Sequence, residues 1–173
     1  DQNGEFQDVG AFAADLQPTS DGAWSAADNL LTTVNAYSEF IEGRLTEHRR
    51  AASDKSLETK AAHRTTIITD LSDNAGLKCT KGEGIRCPQA VGHSIGWVVH
   101  DYGDHRVISH GGNDRGESAM VYYSPEKEHG AVIFVNGGNG ILAVVDIMSM
   151  LGDEPALAAH YQRLIDRHYN SSR

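Results

Sequence analysis

The sequence predicts an α+β fold, an antiparallel sheet meander packed with terminal helices, and three observations carry that expectation. Between Ile95 and Asn136, short segments rich in Val, Ile and Tyr alternate with turns built from Gly, Asp and Pro. No helical pattern separates these segments, as a parallel βαβ unit would require. Apolar residues at helical spacing occur instead before and after them.

In chain order, Asp1–Ser20 is polar, with only Phe6, Val9, Phe12 and Leu16 as apolar anchors, and reads as an extended or irregular lead-in. A helix is expected from Ala26 to about Glu42. Ser25 and Asp28 make a capping-box-like start, and Leu30, Val34, Tyr37 and Ile41 give one apolar face. Gly43 is the expected stop. Thr46–Lys60 is charged and Ala-rich, either a solvated helix or a mobile insertion, with the helix favoured. Arg64–Leu71 is β-branched and reads as a short strand or extended segment.

Four strands are expected after the cysteines: Ile95–Val99, Arg106–His110, Ser118–Tyr123 and Ala131–Asn136. Asp101-Tyr102-Gly103-Asp104 suits the first hairpin turn, and Ser124–Gly130 joins the last pair. A helix follows from Ile141 to Leu151, stopped by Gly152. A second runs from about Pro155 to His168, with Asp153 as N-cap and Leu157, Tyr161, Leu164 and Ile165 facing inward. No internal repeat and no low-complexity tract interrupts the chain.

The formal net charge is −9 and the basic residues are scattered, so nucleic acid is not an expected partner. No apolar run approaches the ~20 residues of a membrane span. A chain that opens on Asp1, without initiator Met or signal peptide, is expected to be processed, excised or cut at a chosen boundary. Cys79 and Cys87 flank a Gly-rich turn and have no metal-ligand companions at hand. That pattern suits a small-loop disulfide and an oxidising compartment, secreted or periplasmic; two free thiols in a cytosolic protein is the alternative. Of nine histidines, His100 and His105 flank one hairpin turn, but no Cys or carboxylate stands at convincing ligand spacing. They are expected to be surface residues, His160 and His168 incidental, and neither metal nor cofactor is expected.

The most informative stretch is Arg106–Tyr123. An apolar strand ends in His110-Gly111-Gly112, the turn Asn113-Asp114-Arg115-Gly116 follows, and a second strand begins. Two glycines at a strand end add backbone entropy and pack no side chain, a choice that makes sense where a ligand approaches the backbone as an added strand. The plainer alternative is a glycine-bulged hairpin with a surface histidine.

The run Gly92–Gly140 resembles the last third of the serine β-lactamase-like family, which includes penicillin-binding peptidases, class C β-lactamases, D-aminopeptidases and esterases. The resemblance rests on His93-Ser94-Ile95-Gly96-Trp97, His110-Gly111-Gly112, Gly116 and Val132–Asn136, in the family's order and spacing. Upstream, Gly22–Leu30 is more weakly similar to a helix start of that family. The family's nucleophilic Ser-x-x-Lys helix and its Tyr-x-Asn or Ser-x-Asn element have no counterpart in a plausible place. Ser124-Pro125-Glu126-Lys127 has the spelling but sits between strands and reads as a turn, and Tyr169-Asn170-Ser171 lies at the C-terminus.

The resemblance therefore implies a single segment over 1–173, the C-terminal part of a β-lactamase-like fold, with 44–92 as a variable loop or insertion region. His110 takes the Lys place of the family's Lys-Thr-Gly strand, Gly111 and Gly112 follow it, and Asn113 N–H supplies one arm of an oxyanion hole. His110 and Asn113 are the implied catalytic positions; Gly111, Gly112 and Trp97 are the implied substrate-binding ones. His for Lys and Gly for Thr lean away from a β-lactamase and toward an esterase, amidase or D-amino-acid peptidase. Glu117 replaces an aromatic or apolar residue and puts a carboxylate at the rim, with water favoured over a substrate amine as its partner. The nucleophile would come from a complementary N-terminal segment or polypeptide, and four strands alone would leave an apolar face and an edge uncovered. The alternative is a non-catalytic module that binds a peptide or partner along the glycine edge.

Overall fold

Among the residues described by the computed structural model, six strands run in chain order, β1 to β6, across one antiparallel sheet. The structure describes residues 32–74, 79, 86–113, 116–137 and 139–171, with side chains as far as 167. The expectations for the lead-in, for the capping start at Ser25 and Asp28, and for the Gly22–Leu30 resemblance lie outside those residues. So do the interior of the cysteine loop and part of the Asn113–Gly116 turn. Chain contacts separate a unit Asp1–Thr33, of which only Thr32 and Thr33 are described, from a unit Val34–Arg173 that holds every element below.

The first helix, α1, spans Val34–Ala51 and runs straight through Gly43. The expected stop fails for a packing reason. Glycine costs a helix interior ~1 kcal/mol relative to Ala, but Tyr37, Ile41 and Leu45 pack this helix onto the sheet on both sides of that residue. The charged stretch after it folds as helix rather than as a loop. Asp54 caps α2, Lys55–Thr65, accepting from the Ser56 N–H at 2.9 Å and from the Ser56 hydroxyl at 2.6 Å. Its charges are also partly paired across the two helices. Glu47 of α1 accepts from Arg44 at 2.9 Å and from Arg64 of α2 at 2.7 Å.

Of the stretch Arg64–Leu71, expected to be extended, α2 takes Arg64 and Thr65 and only Thr69–Asp70 is strand, β1. β2, Ala90–His93, was not among the expected strands and pairs with β1 through Thr69↔His93 and Asp70↔Gly92. Gly92 permits the approach, since a Cβ there would lie 2.4 Å from the Thr69 carbonyl oxygen. The strand expected from Ile95 begins later. Residues 94–97 are the β2–β3 turn, closed by Ser94 N–H donating to Trp97 O at 2.9 Å, with Gly96 at φ +77°. β3 is therefore Val98–Asp101. β4, β5 and β6 span Arg106–Asn113, Glu117–Ser124 and His129–Asn136, each longer than expected.

Helices cover both faces of this sheet, correcting the expectation of a bare apolar face. On one side, α1 contributes Ile41 to a cluster with Trp97, Val99, Ile108, Val121 and Tyr123. On the other, α3 (Gly140–Leu151) and α4 (Pro155–Ser171) bring Val144, Met148, Leu157 and Ala158 against Val107, Met120, Tyr122 and Ile133. Gly152, at φ +67°, caps α3 in the left-handed conformation as expected. The α4 N-cap is displaced by one residue. The Glu154 carbonyl accepts the first helical bond, from Ala158 N–H, while Asp153 accepts from Glu154 N–H and the Tyr122 hydroxyl. Among the described residues no helix is long and apolar enough to cross a membrane.

Cys79 and Cys87 form a disulfide across a sequence separation of 8, with Cα atoms 5.6 Å apart. Closing so short a loop removes little unfolded-state entropy, about 2–3 kcal/mol on the chain-entropy account. Urea unfolding with and without reductant should differ by that amount. An unchanged midpoint would show that the bridge carries no folding free energy.

Candidate active site at the end of strand β4

Strand β4 outruns its neighbour, and that mismatch makes the site. Its pairing with β3 ends at Val98↔Ser109, whereas its pairing with β5 continues through His110↔Val121, Gly111↔Met120, Gly112↔Ala119 and Asn113↔Ser118. Among the described residues, His110–Asn113 thus has β5 on one side and no strand on the other. Backbone N–H and C=O groups along that side remain free to pair with an extended ligand. All four residues are exposed, whereas Val107, Ile108 and Ser109 just before them are buried.

The two glycines have different reasons to be there. A Cβ on Gly111 would sit 2.9 Å from Met120 Cε, on the face that packs against α3 and α4. A larger residue at 111 would therefore have to move the flexible end of Met120. A Cβ on Gly112 would meet nothing within 4 Å. Packing gives no reason for glycine at 112, and the open space lies on the same face as His110 because strand faces alternate.

An aromatic column stands behind His110. Its ring meets Trp97 edge-on, with centroids 6.4 Å apart at 90°. Trp97 in turn stacks on Phe40 of α1 and meets Tyr123 edge-on at 5.4 Å. Trp97 is only 8% exposed, so any contact with substrate falls to the rim of its ring. Burial pushes the Tyr123 hydroxyl up to about 12, which keeps it neutral. Asn113 is held in place from β5, its side-chain oxygen accepting from the Ser118 hydroxyl. Glu117 is exposed and, by strand alternation from Val121, stands on the His110 face.

The Ser124–Lys127 spelling falls where a turn was expected. Ser124 ends β5 fully buried, and Lys127 donates to Glu154 at 3.0 Å.

The histidines were misplaced by the sequence reading. His100, His105 and His160 are all buried, not on the surface. His100 of β3 faces His160 of α4, with ring centroids 5.4 Å apart. His105 lies stacked on Tyr102, with Nδ1 2.7 Å from Asp104 and Nε2 3.1 Å from Glu154. Among the described residues no group of three or more His, Cys, Asp or Glu side chains is placed to hold a metal ion.

An antiparallel sheet layered between helices is an α+β arrangement that fits the serine β-lactamase-like fold. The Beta-lactamase family model matches residues 2–146, and the chain belongs to that family. No curated protein and no solved structure gives a significant match.

Proposed function

We propose that this chain is the C-terminal part of a serine hydrolase that works through an acyl-enzyme on an ester or amide, of the esterase or D-amino-acid-peptidase type. The single observation that carries the reading is the unpaired, exposed His110–Asn113 edge beside the open space at Gly112. The serine nucleophile comes from a preceding segment or a complementary chain. The substrate lies along the edge over Gly111 and Gly112, against the rim of Trp97. As the serine oxygen attacks the carbonyl, negative charge gathers on the substrate oxygen. Asn113 N–H is the donor this chain offers to it, and removing one such donor typically costs ~3–4 kcal/mol of transition-state stabilisation.

His110 takes the place that a lysine fills in carboxylate-binding relatives. An imidazole can donate to and accept from the catalytic hydroxyl network, whereas lysine offers only donors and a fixed charge. With Gly111 lacking a hydroxyl as well, the site gives a free substrate carboxylate little to bind, which favours neutral esters and amides over β-lactams. The disulfide supports a secreted or periplasmic location.

In the catalytically complete protein, His110→Ala should slow acylation about ten- to hundredfold, within the usual range for a group that moves or holds a proton. Folding should be unaffected because the ring is exposed. An unchanged rate would return His110 to an ordinary surface residue. The free edge also favours a second reading, a non-catalytic module binding a peptide as an added strand. That reading predicts peptide binding without any serine labelled by a fluorophosphonate in the complete protein.

A further inference from the structure

The two sulfurs of the Cys79–Cys87 bridge have unequal surroundings. Arg163 of α4 donates from Nη2 to Cys79 Sγ at 3.2 Å. The guanidinium is fixed from the other side, where its Nε donates to the Ala159 carbonyl at 3.2 Å, one turn earlier on the helix. Cys87 also has an arginine beside it in sequence, but that one is turned elsewhere. Arg86 donates to the Tyr102 carbonyl at 2.9 Å and pairs with Asp104. Among the described residues no side chain donates a hydrogen bond to Cys87 Sγ. Both cysteines are only half-buried, so a small thiol can approach.

The Arg163 contact gains little while the bridge is intact, because a neutral sulfur is a weak acceptor. A thiolate in the same place carries a full negative charge. Cysteines next to arginine accordingly ionise below the ordinary ~8.5. Thiol–disulfide exchange runs through attack of one thiolate on a disulfide sulfur, and the sulfur with the lower thiol pKa leaves faster. Arg163 makes that leaving sulfur Cys79.

We propose that the Cys79–Cys87 bridge is a directional thiol-exchange site, at which a low-molecular-weight thiol is taken up on Cys87 while Cys79 leaves as a thiolate held by Arg163. The incoming thiolate, RS⁻, forms its bond to Cys87 Sγ as the Cys79–Cys87 bond breaks, and the electron pair of that bond stays on Cys79 Sγ. The products are R–S–S–Cys87 and one negative charge on Cys79, so atoms, electrons and charge balance. A second RS⁻ that attacks the R sulfur of the mixed disulfide gives R–S–S–R and a Cys87 thiolate, completing the reduction. Pairing with the guanidinium also lowers the basicity of the Cys79 thiolate, which makes it a poorer nucleophile for closing the ring again. Nothing in this exchange draws on the His110 edge, so it stands or falls apart from the hydrolase reading.

The test uses the full, oxidised chain, exposed to millimolar glutathione at neutral pH and quenched at intervals with excess N-ethylmaleimide. Trypsin then cuts after Lys78, Lys81 and Arg86, which leaves the two cysteines in different peptides, and mass spectrometry counts glutathione on each. Glutathione should sit on Cys87 about tenfold more often than on Cys79, as a thiol pKa difference of about one unit would give. Arg163→Met keeps an apolar stem without the charge; it should bring the ratio near one and slow loss of the bridge about fivefold. Arg163→Lys keeps the charge and should retain a preference for Cys87. The ratio is internal to each sample, so a change in overall reactivity alone does not imitate it. Equal labelling of the native chain, or a Cys87 preference unchanged by Arg163→Met, would overturn the proposal. So would a bridge that glutathione neither opens nor labels.

Discussion

Unfolding free energy should fall by about 4 kcal/mol between pH 7.5 and pH 5, a loss set mainly by two buried histidines. His100 is wholly buried and His160 is 1% exposed. Both ring nitrogens of His100 and the Nε2 of His160 are enclosed without a hydrogen-bond partner among the described residues. Burial, and then the neighbouring His160, push His100 down to about 3. Burial, followed by Arg163 and Arg167, pushes His160 down to about 4. Tyr161 lies against both rings and offers no negative charge, because burial raises its own hydroxyl.

The sign follows from proton counting. Both rings stay neutral in the folded chain while the unfolded chain protonates them below ~6.5, so the unfolded state binds more protons and stability rises with pH. The contribution is whole above ~6.5 and is lost as pH falls toward 3–4. pH 5 lies ~1.5 units below the unfolded value of ~6.5, and one unit is ~1.4 kcal/mol, giving ~2 kcal/mol per histidine. Urea denaturation across this range measures the slope. His100→Leu should remove about half of it and leave the chain no less stable at pH 7.5, since two enclosed nitrogens without partners disappear. A flat profile in the native chain would mean that water or an ion already satisfies the rings.

How far these features could be read from the sequence depended on whether local chemistry or distant contacts decided them. β4, β5 and β6 were legible because Val107–Ser109, Ala119–Tyr123 and Val132–Val135 are β-branched and aromatic between turn residues. The hairpin at Gly103 was legible for the same local reason, and there Tyr102 N–H donates to His105 O at 2.9 Å. Gly43 and Gly96 misled in opposite directions. Contacts with the sheet carry the helix through the first, while the second bends a stretch whose composition looks like strand. β1 lies in the β-branched stretch Arg64–Leu71 but is only two residues long, since α2 takes the start of that stretch and its pairing with β2 depends on the close approach that Gly92 allows. The His110–Asn113 segment could be recognised from its motif, and its two glycines pointed to an edge a ligand could approach, but the extent of that open edge was not legible. That property depends on where β3 begins, and Val98 was set by a turn the sequence reading had counted as strand.

The buried histidines were out of reach altogether, and one of them leads to the other large effect. His105 and Glu154 are separated by 49 residues, and no spacing rule joins them. Glu154, 2% exposed, stands where the β3–β4 hairpin, the β5–β6 turn and the start of α4 converge. Its Oε2 lies 3.1 Å from His105 Nε2, and its Oε1 lies 3.0 Å from Lys127 Nζ and 3.1 Å from His129 Nε2. Around it, Arg86 and His105 hold the Asp104 carboxyl well below the usual carboxylate range. Burial and then the Asp153 hydrogen bond hold the Tyr122 hydroxyl far above its ordinary value.

Removing one partner of a buried charge group strands the others, which typically costs 3–5 kcal/mol. Glu154→Ala should fall near the lower end, about 3 kcal/mol in urea denaturation at pH 7, because Lys127 is partly exposed and can turn to water. Lys127→Met should cost about 1 kcal/mol or less, as only one of three partners is lost and its stem still covers apolar surface. Measured together, the two substitutions should fall short of additivity, since with Glu154 gone Lys127 has nothing left to hold. A Glu154→Ala variant within 1 kcal/mol of the native chain would show that the carboxylate is tolerated at this junction rather than required by it.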